Sequence, residues 1–177
     1  RVAKELLARK RPDVKVVGDD LHPLGQVRDF APYIAKMRAA NADTVITGNW
    51  GPDLALLVRA ARDAGLTANF YTYYGGVIGT PTAVGPAGEN RMRMVAYWHP
   101  NITPDYPGEK LYQDFKKRFG EEFYAVATYS ALTLLADAMK RTKSTDPLRV
   151  AYAMEGAKWA GLNGEIEMRA ADHQLLQ

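Results

Sequence analysis

The 177-residue sequence contains no cysteine. A thiol nucleophile, a disulfide framework and a cysteine-ligated metal are therefore excluded. Histidine is almost as scarce: His22, His99 and His173 stand far apart, without the spacing of a zinc site, so no metal is expected. Serine occurs only at Ser130 and Ser144, neither of them in a G-x-S-x-G elbow. The P-loop pattern is missing too. Gly75, Gly76, Gly79, Gly85 and Gly88 do not make G-x-G-x-x-G, and no helix is expected directly after them, so no phosphate-bearing cofactor is expected. No apolar run approaches the roughly 20 residues that span a bilayer. An initiating Met and a signal peptide are both lacking. The first residues, "RVAKELLARK", already read as helix, and "HQLLQ" stops as an apolar run begins, so the chain reads as a piece of a longer protein.

Charge of one sign is also sparse. The formal balance is +3, and its basic clusters, "RKRP" at 9–12 and "KKR" at 116–118, fall at expected helix ends, where cations suit the macrodipole. Nucleic acid is not an expected partner. The carboxylate pairs at 19–20 and 121–122 read as solvated ends of elements. Without a nucleophile or an activated base, an enzyme is disfavoured.

What remains is an alternation of strands and helices. "VKVVG" (14–18) reads as a β-branched strand, and "DFAPYIAKMRAAN" as a helix with Asp29 as N-cap and Phe30, Ile34 and Met37 on one face. "DTVITGN" (43–49) lacks polar alternation at its centre, as a strand covered on both faces should. The helix "PDLALLVRAARDAGL" opens on Pro52 and stops at Gly65, with Leu54, Leu57, Val58 and Ala61 inward and Arg59 and Arg62 outward. "FYTYYGG" then crowds four rings into five residues before two glycines, so a strand ends at Tyr73 and Tyr74. Such alternation implies a parallel sheet flanked by helices. Ligands of these sheets sit beyond the carboxyl ends of the strands, which is where Asn49, Trp50, Tyr73 and Tyr74 fall. Alternation lets one tyrosine face a ligand while the other packs under a helix; Tyr74 is assigned the ligand and Tyr73 the structural role.

After residue 80 the pattern changes. "GTPTAVGPAGEN" reads as a loop, "RMRMVAYW" as a strand and "HPNITPDYPG" as an irregular connection. Helices are expected near 108–119, 123–141 and 146–155, the last capped by Asp146, before a glycine turn and a short alternating strand. The implied organisation is 1–97 as one α/β lobe, 98–107 as a crossing, and 108–177 as C-terminal helices with a short hairpin.

The stretches "ADTVITGNWGPDLALLVRAARDAGL", "FYTYYGG", "YAVATYSALTLLADAMKR", "DPLRVAYAMEG" and "GEIEMRAADHQ" resemble, in the same order, the periplasmic leucine/isoleucine/valine-binding protein family. These are the solute receptors of branched-chain amino acid ABC transporters. The resemblance implies the type I fold of two α/β lobes joined by three crossings. By it, 1–97 is most of the second lobe and the C-terminal helices belong with the other, absent lobe. It also implies a bacterial, periplasmic or extracytoplasmic location and a membrane permease as partner. Trp50 and Tyr124 match pocket rings, with Asn49 beside the first. Tyr74 stands where the family carries the acid that binds the ligand's ammonium, so an amide or aromatic acid joins amino acids as an expected ligand. The alternative on the same fold is the ligand-sensing domain of a regulator or receptor.

Overall fold

The computed structural model describes residues 2–77, 79–96, 108–121, 126–162 and 164–176. They form two compact units, one of residues 1–75 with 80–95 and another of 76–79 with 96–177.

The first unit starts with helix α1 (Val2–Lys10), which buries none of its residues. The run 14–18 follows without regular structure and pairs with no strand, and Val14, Val16 and Val17 are exposed. This corrects the expected strand: β-branched residues favour a pleated surface, yet a strand exists only where a neighbour takes its backbone hydrogen bonds. Helix α2 (Ala31–Ala39) comes next. Asp29 accepts the Ala31 amide at 2.8 Å as a cap should, although Phe30 is the boundary residue. Phe30 and Ile34 are buried, and Met37 packs against the same core.

Strand β1 (Thr44–Thr47), helix α3 (Gly51–Asp63) and strand β2 (Asn69–Thr72) form a β-α-β crossover. β1 and β2 are parallel, with Val45 opposite Phe70 and Thr47 opposite Thr72. α3 has Pro52 in its first turn, and the chain leaves it through Gly65 at φ +69°, a conformation that suits glycine. Its buried Leu54, Leu57, Val58 and Ala61 join Val45, Phe70 and Ile34 in one core.

The stretch after Gly79 is not the expected loop. It forms a one-turn helix, α4 (Thr80–Val84), then a 3₁₀ turn at Gly85–Gly88, and Thr80, Val84 and Ala87 are buried. Pro81 and Pro86 open these turns instead of breaking them, since a first-turn proline forfeits no helical bond. β3 (Met92–Met94) completes the parallel order β1-β2-β3 and is shorter than the expected strand. Among the described residues of this unit, helices cover one face of the sheet. On the other, Ile46 and Tyr71 remain 50% and 45% exposed, contrary to the expectation of cover on both faces.

The second unit contains α5 (Gly108–Phe119), α6 (Val126–Thr142) and α7 (Pro147–Met154), followed by the antiparallel strands β4 (Lys158–Gly161), β5 (Gly164–Met168) and β6 (Leu175–Leu176). α5 is fixed at its start: the Gly108 amide donates to the Leu162 carbonyl at 2.9 Å, and Tyr112 packs on Leu162. α6 buries Leu134 and Ala138, while Arg141 near its end donates to the Ala153 carbonyl of α7 at 2.7 Å. Asp146 caps α7 by accepting the Arg149 amide at 2.9 Å.

Candidate functional site

Parallel pairing brings the ends of β1 and β2 to one edge of the sheet. Because Thr47 and Thr72 are partners, the segments leading to Asn49–Trp50 and to Tyr73–Tyr74 leave the same edge from neighbouring strands. Trp50 is 46% exposed and has extended backbone just before α3, so its ring stands on the surface of the first unit. Tyr74 is 56% exposed, and its amide donates to Thr72 Oγ1 at 3.2 Å, which ends the strand.

Tyr73 is 62% exposed, so the structural role expected for it is wrong. Alternation does put Tyr73 with Tyr71, opposite the buried Phe70 and Thr72, but their face is the uncovered one. Gly75 has no positive φ. A Cβ there would lie 2.7 Å from Thr72 Cγ2 and 3.5 Å from Met94 Cβ, so the position requires close approach, not a sharp turn. Tyr124 lies outside the described residues.

Asn49 is 8% exposed, and its side-chain oxygen is held by two partners. Its Oδ1 faces the Thr47 hydroxyl at 2.9 Å and His22 Nε2 at 3.0 Å, while its backbone amide donates to Thr47 Oγ1 at 3.1 Å. His22 had carried no expectation beyond the absence of a metal pattern. Its ring meets Phe30 and Tyr33 edge-on at 5.1 and 5.7 Å. Nearby, Asp20 bonds Lys36 at 2.7 Å and holds that ammonium above the ordinary lysine range, by the hydrogen bond first and the charge second.

A groove of about 210 Å³ runs beside Trp50, lined among others by Leu24, Gly25, Arg28, Pro52 and Asp53. Asp53 is buried and accepts the Gly25 amide at 2.8 Å, which ties the 22–28 loop to the start of α3. Sequence reading missed this loop because nothing in its composition says which strand end it folds against. This edge carries exposed rings, one buried amide, a buried carboxylate and the exposed Arg28. Among the described residues no group of His, Asp and Glu could hold a metal ion, and no helix is long and apolar enough to cross a membrane.

Comparisons with known proteins bear on the family and the fold. The "Leu/Ile/Val-binding protein homolog 4" of Brucella abortus is 37% identical over 172 residues, which is 90% of this chain and 39% of the relative. The crystal structure of the leucine-, isoleucine-, valine-, threonine- and alanine-binding protein of Brucella ovis, in its closed conformation, superposes with a TM-score of 0.71 at 33% identity. It is covered to 46% by 98% of this chain. A solute-binding protein of an R. palustris ABC transporter, solved with benzoate, shares the fold at TM-score 0.81 and 21% identity, 99% of this chain covering 49% of it. The chain thus spans less than half the length of each of these proteins, and their architecture is the type I periplasmic binding protein fold. The periplasmic binding protein profile matches residues 3–177, and the chain belongs to the periplasmic binding protein family.

Proposed function

We propose that this chain is part of an extracytoplasmic solute receptor that binds a small organic acid or amino acid between two hinged lobes and delivers it to an ABC permease. One observation carries the reading: the parallel edge where such folds take ligands presents Trp50 and Tyr74 to solvent with the buried Asn49 between sheet and ring. The support from comparison is that homologues carry Leu/Ile/Val-binding names and that the same fold holds benzoate in a more distant neighbour.

Within that class, the edge chemistry favours an aromatic carboxylate. The resemblance implies that Tyr74 stands where the family carries an acid for an ammonium, and a cation over a ring gains about 0.5–2 kcal/mol against about 1.5–3 for a charged hydrogen bond. Asp53 lines the groove, but it is buried and already accepts the Gly25 amide. Arg28 and Trp50 share that groove, a guanidinium for a carboxylate and a ring for a ring. Thermal shifts of the full-length receptor with benzoate, 4-hydroxybenzoate and leucine test the reading. The aromatic acids should raise Tm more than leucine at equal concentration. A shift with leucine alone would overturn the ligand class, and no shift with any small solute would count against the receptor reading.

A further inference from the structure

The buried amide of Asn49 is paired on one side only. Its Oδ1 faces two partners, whereas Nδ2 is buried with no hydrogen-bond partner among the described residues. Both nitrogens of His22 also face oxygen, Nε2 toward Asn49 Oδ1 at 3.0 Å and Nδ1 toward the Pro23 carbonyl at 3.3 Å. Two oxygens facing one imidazole suit the imidazolium, in which both nitrogens donate. A neutral ring meets one of them lone pair to lone pair.

The same heavy-atom positions admit a second arrangement. With the amide turned by half a rotation, Nδ2 donates one hydrogen to His22 Nε2 and the other to Thr47 Oγ1. His22 then keeps its proton on Nδ1 and donates it to Pro23. Both amide hydrogens and the imidazole proton are then taken up; the Thr47 hydroxyl gives up Oδ1 as its acceptor, and the amide carbonyl is left without a partner, which is the more tolerable vacancy. Neutral His22 favours this arrangement, and protonated His22 enforces the other.

We infer that His22 is a positioning residue that orients the Asn49 amide through its own protonation, exchanging a carbonyl for an amino group at the strand end beside Trp50. No electrons move. One proton is taken from solvent at Nε2, and the amide rotates about its Cβ–Cγ bond. The other groups facing the ring do not mimic it. Tyr33 of α2 contributes a phenol, and Lys36 lies 5.8 Å over that ring while paired with Asp20. From β1 and its end come only the neutral Thr47 and Asn49, and from α3 the carboxylate of Asp53 is engaged with Gly25. The consequence for solute binding rests on the receptor reading above; the amide rotation does not.

The direct test needs no solute. Nitrogen-15 NMR of the 177-residue chain, followed from pH 5 to 8, should show His22 as the Nδ1–H tautomer when neutral. The Asn49 side-chain NH₂ signals should move with the His22 midpoint, and in His22→Gln they should stay fixed. A neutral Nε2–H tautomer, or Asn49 signals that ignore His22, overturns the inference. If the variant does not fold, the wild-type titration decides alone. In the full-length receptor, affinity for benzoate should change about tenfold across that range, about 1.4 kcal/mol, and His22→Gln should flatten the profile. Equal profiles for wild type and variant would overturn the link to the site. A receptor that binds no probe would sink the functional reading and leave the NMR result to stand or fall separately.

Discussion

Phe70 and Tyr73 lie three residues apart on one short stretch, and the structure gives them opposite energetic roles. Phe70 is fully enclosed beneath α3, so Phe70→Ala should cost about 3–5 kcal/mol. Tyr73 stands in solvent, and Tyr73→Ala should change stability by no more than about 0.5 kcal/mol. Urea unfolding of the two variants measures both values, and a large loss at Tyr73 would mean that something covers the face it occupies. Trp50 is the third residue of this kind. If its exposed ring stacks on the solute, Trp50→Ala should weaken binding by about 2 kcal/mol or more while unfolding at the wild-type midpoint. A stability loss equal to the affinity loss would make the ring structural. Period two was legible from the sequence and puts Tyr71 and Tyr73 on one face. Which face the helices cover was not, because cover depends on elements distant in sequence.

At the scale of elements, local chemistry was legible where a cap or a proline acts within one turn. α3 with Pro52 and Gly65, and α7 with Asp146, stand where their end signals put them. Asp146→Ala should cost about 1 kcal/mol, and Asp146→Asn should restore most of it, because either side-chain oxygen can accept the Arg149 amide. Helical circular dichroism with thermal melts reads the pair, and equal losses for both would point to the carboxylate's charge instead of its cap. Two segments defied local reading. The run 14–18 has strand propensity but no partner, and 79–90 has loop composition but folds into turns because Val84 and Ala87 find the core. In both, tertiary contact overrode propensity. Of the candidate site, the rings at strand ends were readable, since strand ends are. His22 and Asp53 were not, because their roles come from a loop that folds back across 27 residues to Asn49.

At the scale of the molecule, the uncovered sheet face is the feature that ordinary parallel sheets lack. Ile46, Tyr71, Tyr73 and Val95 leave apolar surface along it, lining a shallow depression of about 410 Å³. Arg93 is the one cation among the described residues that line it, donating to Asn69 at 2.7 Å and lying 5.9 Å over the Tyr71 ring. The related proteins are more than twice as long as this chain, so they hold chain enough to cover such a face. For the 177 residues by themselves, apolar area of this kind promotes association. Sedimentation velocity over a concentration series should therefore show reversible self-association. Ile46→Glu and Tyr71→Glu, which place a carboxylate on the face without touching the buried Val45 or Phe70, should reduce it. Leu132→Glu, on the exposed side of α6 in the other unit, should not. If the chain stays monomeric throughout, or if Leu132→Glu alone suppresses association, the sheet face is not the sticky surface and its rings are solvated without cost.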